Sequence, residues 1–333
     1  MKKYLIVSAL ALSLVASFAV ACPIPPHMAP LVATFEKIIA KHQGRVGVCI
    51  QDGDDLACVK GHEIFSLQST TKLLTAMAVM DQVDQKKLTI SDKITIHKKD
   101  LSVSIQPIAE KVGKDGYTTT IGDLVKRAVV DSDSTANDVL VAKIGGPQAV
   151  QSFLNRKEIE HINVNRDERH LQSETIGLTW IPEFADPIIF SKAIKSVPVE
   201  KRDMAYRIYQ TDTRDTAMPR AMGILLDRFA KGDLLSETST DYLLNIMRET
   251  KTGPNRLKAG LPQGWTLAHK TGTSGTWKNV TAATNDIGII TTPDGKNIAI
   301  AVFVGDSTES EAAREKIIAD LARATAEFYS KKH

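Results

Sequence analysis

Apolar residues recur at helical spacing through Leu31, Val32, Phe35, Ile38 and Ile39 and stop at Gly44, predicting a helix over 28–42. Two short apolar runs, 46–50 and 56–60, flank Asp52-Gly53-Asp54-Asp55 and read as a hairpin. From Leu73 the positions Leu74, Ala76, Met77, Val79 and Met80 are too apolar for one exposed face, so this helix is expected to be buried all round. Helical patterning then continues to about residue 248. Thr120 reads as an N-cap, 136–144 is stopped by Gly145-Gly146, Pro147 opens the next helix, and 219–230 and 239–247 follow. Strand patterning returns at 265–270, 282–292 and 297–305, and an amphipathic helix closes the chain from Glu309 to about residue 328. The order predicts an α+β fold. Both chain ends build a five-stranded antiparallel sheet flanked by terminal helices, and an all-helical lobe is inserted between them. The expected division is a sheet lobe from 28–66 and 257–333 and a helical lobe from 67–256, with a cleft between them as the natural place for a site.

Composition changes this picture little. Hydrophobic residues make up 43% and charged residues 24% of the 333, ordinary for a globular protein. Met1-Lys2-Lys3 followed by the apolar run to Val20, with Ala19-Val20-Ala21 behind it, reads as a signal peptide over 1–21. Removing Lys2 and Lys3 leaves 40 basic against 39 acidic residues, too even a balance for a nucleic-acid partner. Export to the periplasm or medium is therefore expected, and Cys22, left as the first residue, is open to lipid anchoring. Cys49 and Cys58 face each other if Gly53-Asp54 is the hairpin loop, which permits either a disulfide or two buried thiols. The histidines and cysteines show no metal-ligand spacing, so no metal or other cofactor is expected.

The candidate chemistry starts at Ser69. It lies at the head of the apolar helix, with Lys72 one turn on and on the same face. A serine hydroxyl is a poor nucleophile until a neighbouring base takes its proton, and a half-buried lysine can act as that base. Free N–H groups at a helix start can also stabilise an oxyanion. Three more clusters follow: Ser132-Asp133-Ser134 at a loop, the aperiodic polar stretch from Arg166 to Gln172 containing Glu168, and Lys270-Thr271-Gly272-Thr273 ending a strand. A second Lys-Thr-Gly, at Lys251-Thr252-Gly253, follows a helix instead of ending a strand and is set aside.

In this order the four motifs resemble those of the class A serine β-lactamases. The surroundings are most similar to the PER and VEB extended-spectrum branch: Gln68 before the serine, Asp138, His269 before Lys270, and Thr284-Asn285-Asp286-Ile287-Gly288. The resemblance implies that Ser69 attacks a β-lactam carbonyl and becomes acylated. Lys72 would deprotonate it directly or by way of Glu168 and a water, and Ser132 would relay a proton to the departing nitrogen. Glu168 would activate the water that releases the acyl group, held with help from Gln172. The oxyanion hole would be the N–H groups of Ser69 and Thr273. Lys270, Thr271, Gly272 and Thr273 would bind the substrate carboxylate, and Ser134 the substrate side chain. Arg256 is either a further cation for that carboxylate, in place of an arginine the family often carries near Asn285, or a surface arginine. Arg166 and Asp215 would form a structural ion pair closing the omega loop. The implied product is a monomeric, periplasmic hydrolase that confers antibiotic resistance without an obligate partner.

Three positions depart from that pattern. Ser134 and Gln172 each replace an asparagine, which puts substrate preference and the placing of the water in question. The loop from Glu168 to Asp215 spans 47 positions, several times more than expected. Its extra part, 173–212, carries helical patterns at 187–194 and 200–210 and is expected either to border the cleft as a lid or to pack outside it. Rival readings are a penicillin-sensitive D,D-peptidase, disfavoured by Glu168, and a lactam sensor that stops at the acylated state.

Overall fold

The computed structural model describes residues 24–331; the expected leader and Cys22 lie outside the described residues. Five long strands form an antiparallel sheet in the spatial order Asp55–Val59, Arg45–Asp52, Asn297–Ser307, Val280–Thr291 and Thr266–Thr273. A sixth strand of two residues, Thr276–Trp277, folds back onto Val280–Thr291. The central strand shows why the sheet sits where it does. Ile298, Ile300, Val302 and Val304 point to one face and pack against Leu31, Phe35, Ile318 and Leu321 of the helices Ala29–Ile39 and Glu311–Ser330. Ala299, Ala301 and Phe303, the alternate positions, point to the other face and meet Met222 and Leu225 of the helix Pro219–Ala230. Both faces are therefore covered, and the strand reads as a continuous apolar run.

Behind that second face lies the helix Thr71–Asp84, whose residues from Thr71 to Asp81 are all buried. Each fully buried leucine there contributes about 1.5–3 kcal/mol, so the helix start is held rigidly. Thr120 caps the helix Ile121–Val130 by accepting from the Asp123 N–H, and Gly145, at φ +106°, ends Ser134–Ile144 in the left-handed conformation. Two short antiparallel pairs were not revealed by periodicity: Lys93–Ile96 with Tyr117–Thr120 inside the helical block, and Phe65–Ser66 with Thr216–Ala217 at its border with the sheet.

Cys49 and Cys58 are cross-strand partners and form a disulfide, which settles the choice the sequence left open. The bond links residues nine positions apart. Replacing both by alanine should cost about 2–3 kcal/mol on loop-closure grounds, read as a lower Tm that reduction of the native protein reproduces.

Candidate active site

Ser69 sits in a 3₁₀ turn, Gln68–Thr70, that runs directly into Thr71–Asp84. Lys72 is on the first turn of that helix, 1% exposed, and its ammonium lies at the centre of the cluster. Nζ is 3.1 Å from Ser69 Oγ, 3.2 Å from Ser134 Oγ, 3.3 Å from Glu168 Oε1 and 3.5 Å from Ser132 Oγ, and it donates to the Ser132 carbonyl at 2.7 Å. Ser132 holds a left-handed φ of +59°, and Asp133 behind it caps Ser134–Ile144 by accepting from Ala136 N–H. The loop conformation is thus fixed by a cap on one side and a buried helix on the other.

Glu168 is only 4% exposed, although its stretch lacks any sequence period. The structure corrects that reading: Glu168–Glu174 is a short helix capped by Asp167, which accepts from His170 N–H. Seven residues are too few for periodicity to register. Asp138, on Ser134–Ile144, fixes the helix start by accepting from the backbone N–H of Glu168 at 2.8 Å and of Arg169 at 3.1 Å. Burial, with Asp167 nearby, pushes Asp138 above its usual range against the pull of Arg169. Gln172, one turn on, donates to Glu168 Oε2 at 3.2 Å.

The strand Thr266–Thr273 closes the other side. Lys270 is fully buried, with Nζ 3.0 Å from Ser132 Oγ and 3.0 Å from the Thr271 carbonyl. Burial first, and the Lys72 ammonium second, push Lys270 well below the ordinary lysine range, partly offset by Glu168 and Asp286. The pocket is thus short of negative charge, and an incoming carboxylate relieves that deficit. Gly272 allows the strand to approach: a Cβ there would lie 2.6 Å from the Leu67 carbonyl and 3.2 Å from Ser69 N. The backbone at Gly272-Thr273 therefore runs against the turn that carries Ser69.

Arg256 is 4% exposed, which removes the surface-arginine alternative. It pairs with Glu315 at 3.2 Å, donates to the Asn285 carbonyl at 3.0 Å, and donates to Thr273 Oγ1 at 2.8 Å. Asn285 itself points elsewhere, donating to the Ser66 and Leu67 carbonyls. The residue facing Thr273 across the strands is Thr284, whose hydroxyl accepts from Arg314 at 2.9 Å. Arg314 was not singled out in the sequence, because its place on an amphipathic helix reads as a solvated charge. The set-aside Lys251-Thr252-Gly253 does follow a helix, Glu237–Arg248, yet Thr252 shares a 2.5 Å hydrogen bond with the Thr271 hydroxyl. Arg166 binds Asp215 at 2.6 Å and Glu174 at 2.6 Å, closing the neck of the loop.

The added segment carries the helices Pro187–Ser196 and Val199–Thr211. They border the site. A cavity of about 230 Å³ lies between them and the turn that follows the Lys270 strand, lined among others by Gln172, Phe190, Ile194, Tyr206, Tyr209 and Trp277. Among the described residues no group of three His, Cys, Asp or Glu side chains is placed to hold a metal ion.

A serine, two lysines and a carboxylate thus converge between a buried helix and a strand edge. A sequence model described as the β-lactamase enzyme family matches residues 30–329. The chain belongs to that family. Among its relatives, β-lactamase VEB-1 of Pseudomonas aeruginosa is 34% identical over 91% of each chain. Extended-spectrum β-lactamase PER-1 of the same organism is 34% identical over 89% of this chain and 86% of its own. Of solved structures, TLA-1 extended-spectrum β-lactamase superposes with a TM-score of 0.75 at 32% identity, covering 91% of this chain and 99% of that one. The α+β β-lactamase fold and the class A assignment expected from the motifs both hold.

Proposed function

We propose that this β-lactamase opens the lactam amide of penicillins and cephalosporins through an acyl-enzyme on Ser69, giving resistance to those antibiotics. The observation that carries the reading is Lys72 Nζ, 3.1 Å from Ser69 Oγ and 3.3 Å from Glu168 Oε1, which links the nucleophile to a buried carboxylate. Ser69 Oγ attacks the carbonyl carbon and its proton passes to Lys72, directly when Nζ is the neutral amine or by way of a water and the Glu168 carboxylate. The backbone N–H groups of Ser69 and Thr273 stabilise the oxyanion, supported by the close approach of Gly272. The C–N bond breaks as Ser132, 3.0 Å from Lys270 Nζ, passes a proton to the nitrogen. Water activated by Glu168 then attacks the ester carbonyl, and Ser69 departs with the proton restored.

Lys270, Thr271 and the Thr273 hydroxyl bind the substrate carboxylate, with Gly272 keeping their strand close to Ser69. Arg256 backs them by orienting Thr273 and adding positive charge behind it. Ser134, turned onto Lys72, contributes less to the substrate side chain than an asparagine there would. Arg166 and Asp215 hold the loop shut and take no part in the chemistry. The division into a sheet lobe and a helical lobe with the site between them is supported by Lys270 lying on the sheet strand Thr266–Thr273 and Lys72 on the helix Thr71–Asp84. The protein acts as an exported monomer, freed of 1–21 in the periplasm or held by a lipid on Cys22; the disulfide, which belongs in an oxidising compartment, supports the export.

A chromogenic cephalosporin, followed by colour and by protein mass together, tests this directly. Sustained colour with no lasting adduct is expected; one equivalent of colour with a persistent adduct would mean a lactam sensor or a D,D-peptidase. The cavity beside Gln172 leads to a further expectation. Phe190→Ala should raise kcat/KM for lactams with bulky side chains about fivefold relative to those with small ones, because the ring narrows the space. Unchanged ratios would place the side chain elsewhere.

A further inference from the structure

The helix Val199–Thr211 belongs to the extra segment, yet its last turn ends inside the site. Tyr209 is 6% exposed. Its hydroxyl lies 2.7 Å from Ser66 Oγ and receives a hydrogen bond from Gln68 Nε2. Gln68 Oε1 accepts from Gln172 Nε2 at 3.0 Å, and the same nitrogen donates to Glu168 Oε2 at 3.2 Å.

Every orientation in this chain follows from its carboxylate end. An ionised carboxylate only accepts, so Gln172 must turn its NH2 toward Glu168. The second hydrogen of that NH2 needs an acceptor, so Gln68 must present its oxygen. The Gln68 NH2 then faces Tyr209, whose oxygen has to accept. Burial pushes the Tyr209 phenol well above its usual range, so it stays a neutral hydroxyl.

We propose that Tyr209 is a positioning residue for release of the acyl group, holding the Glu168 carboxylate in its working orientation through Gln68 and Gln172. The inference rests on Glu168 being the deacylating base. Two further observations support it. Gln68 adopts φ +48° directly before Ser69, a conformation that L-residues seldom take unless held there. The helix carrying Tyr209 is also fastened to the strand Val280–Thr291, which pairs with the strand that carries Lys270, and to the turn that follows Thr273. The Tyr206 hydroxyl lies within donating distance of the Val280 carbonyl at 2.8 Å and the Gly275 carbonyl at 3.0 Å and accepts from Ala282 N–H, and Asp203 accepts from Trp277 Nε1 at 2.7 Å. Arg202 stacks on the Trp277 ring at 4.0 Å. The added segment thus joins the two walls of the site into one frame.

Tyr209→Phe keeps the ring and removes the acceptor, leaving the Gln68 NH2 buried and free to turn over. The expected result is a deacylation rate about tenfold lower, measured by mass after a pulse of cephalosporin, with kcat/KM changed less than about twofold. Gln68→Met breaks the chain one link earlier and should give the same split. The double variant should lose about tenfold, not a hundredfold, because links of one chain do not act independently. Deacylation and kcat/KM falling together in both variants, or effects that multiply in the double, would overturn the proposal. Glu168→Gln is the control. If it accumulates no acyl-enzyme, the reading of Glu168 has failed and takes the relay with it; if it does while Tyr209→Phe and Gln68→Met do not, the relay alone is wrong.

Discussion

A Glu168→Gln protein mixed with a chromogenic cephalosporin is expected to release one equivalent of colour and then stall as an adduct on Ser69. The wild-type carboxylate is 4% exposed and is held on three sides: by Lys72 at 3.3 Å, by Gln172 at 3.2 Å and, through its backbone, by Asp138 at 2.8 Å. Glutamine keeps the shape and cannot take a proton from water. General-base assistance of this kind is worth roughly 10²–10⁴-fold, so kcat should fall by about that factor. The rate of the first burst carries separate information. If Lys72 deprotonates Ser69 directly across 3.1 Å, the burst stays fast. If the proton travels by way of Glu168, the burst slows together with kcat, and one stopped-flow trace distinguishes the routes. Normal steady-state turnover would remove Glu168 from the mechanism.

Much of this arrangement is legible in the sequence, and for a physical reason. A helix buried on every side must be apolar on every side, so the run from Leu73 to Met80 announced the element that carries Ser69 and Lys72. The five long strands were legible because Gly53-Asp54 and Pro293-Asp294-Gly295 mark their turns. Glu168–Glu174 was not legible as a helix, because it spans two turns and owes its start to Asp138, thirty positions away in sequence. Arg256 could not be assigned between pocket and surface because its burial depends on Glu315, supplied by the terminal helix. Tyr209 was missed although a signal existed. Tyr206 and Tyr209, two of the six tyrosines, stand three apart in one helix and so share a face. Periodicity shows that such a face is buried but not against what.

Asp215→Ala should be the most destabilising single change at the site. Asp215 is 1% exposed and accepts three hydrogen bonds on its two carboxylate oxygens. Oδ2 takes Arg166 Nε at 2.6 Å, while Oδ1 takes the backbone N–H groups of Asn165 at 2.7 Å and Arg166 at 3.0 Å. Its own carbonyl accepts from Leu67 N–H at 2.8 Å, two residues before Ser69. Burial alone would lower the Arg166 pKa, and Asp215 with Glu174 more than offsets it, so the guanidinium depends on these carboxylates. Alanine leaves that cation buried and short of a partner, and two N–H groups unsatisfied. The cost should be about 3–5 kcal/mol. For a chain of this size that is a Tm lower by about 10 °C, checked by calorimetry. Asp215→Asn retains an acceptor for the two N–H groups and loses only the charge, so its Tm should fall between the two. An alanine variant as stable as the parent would mean that Glu174 and Asp212, at 2.6 Å and 3.3 Å from Arg166, hold the neck of the loop without it.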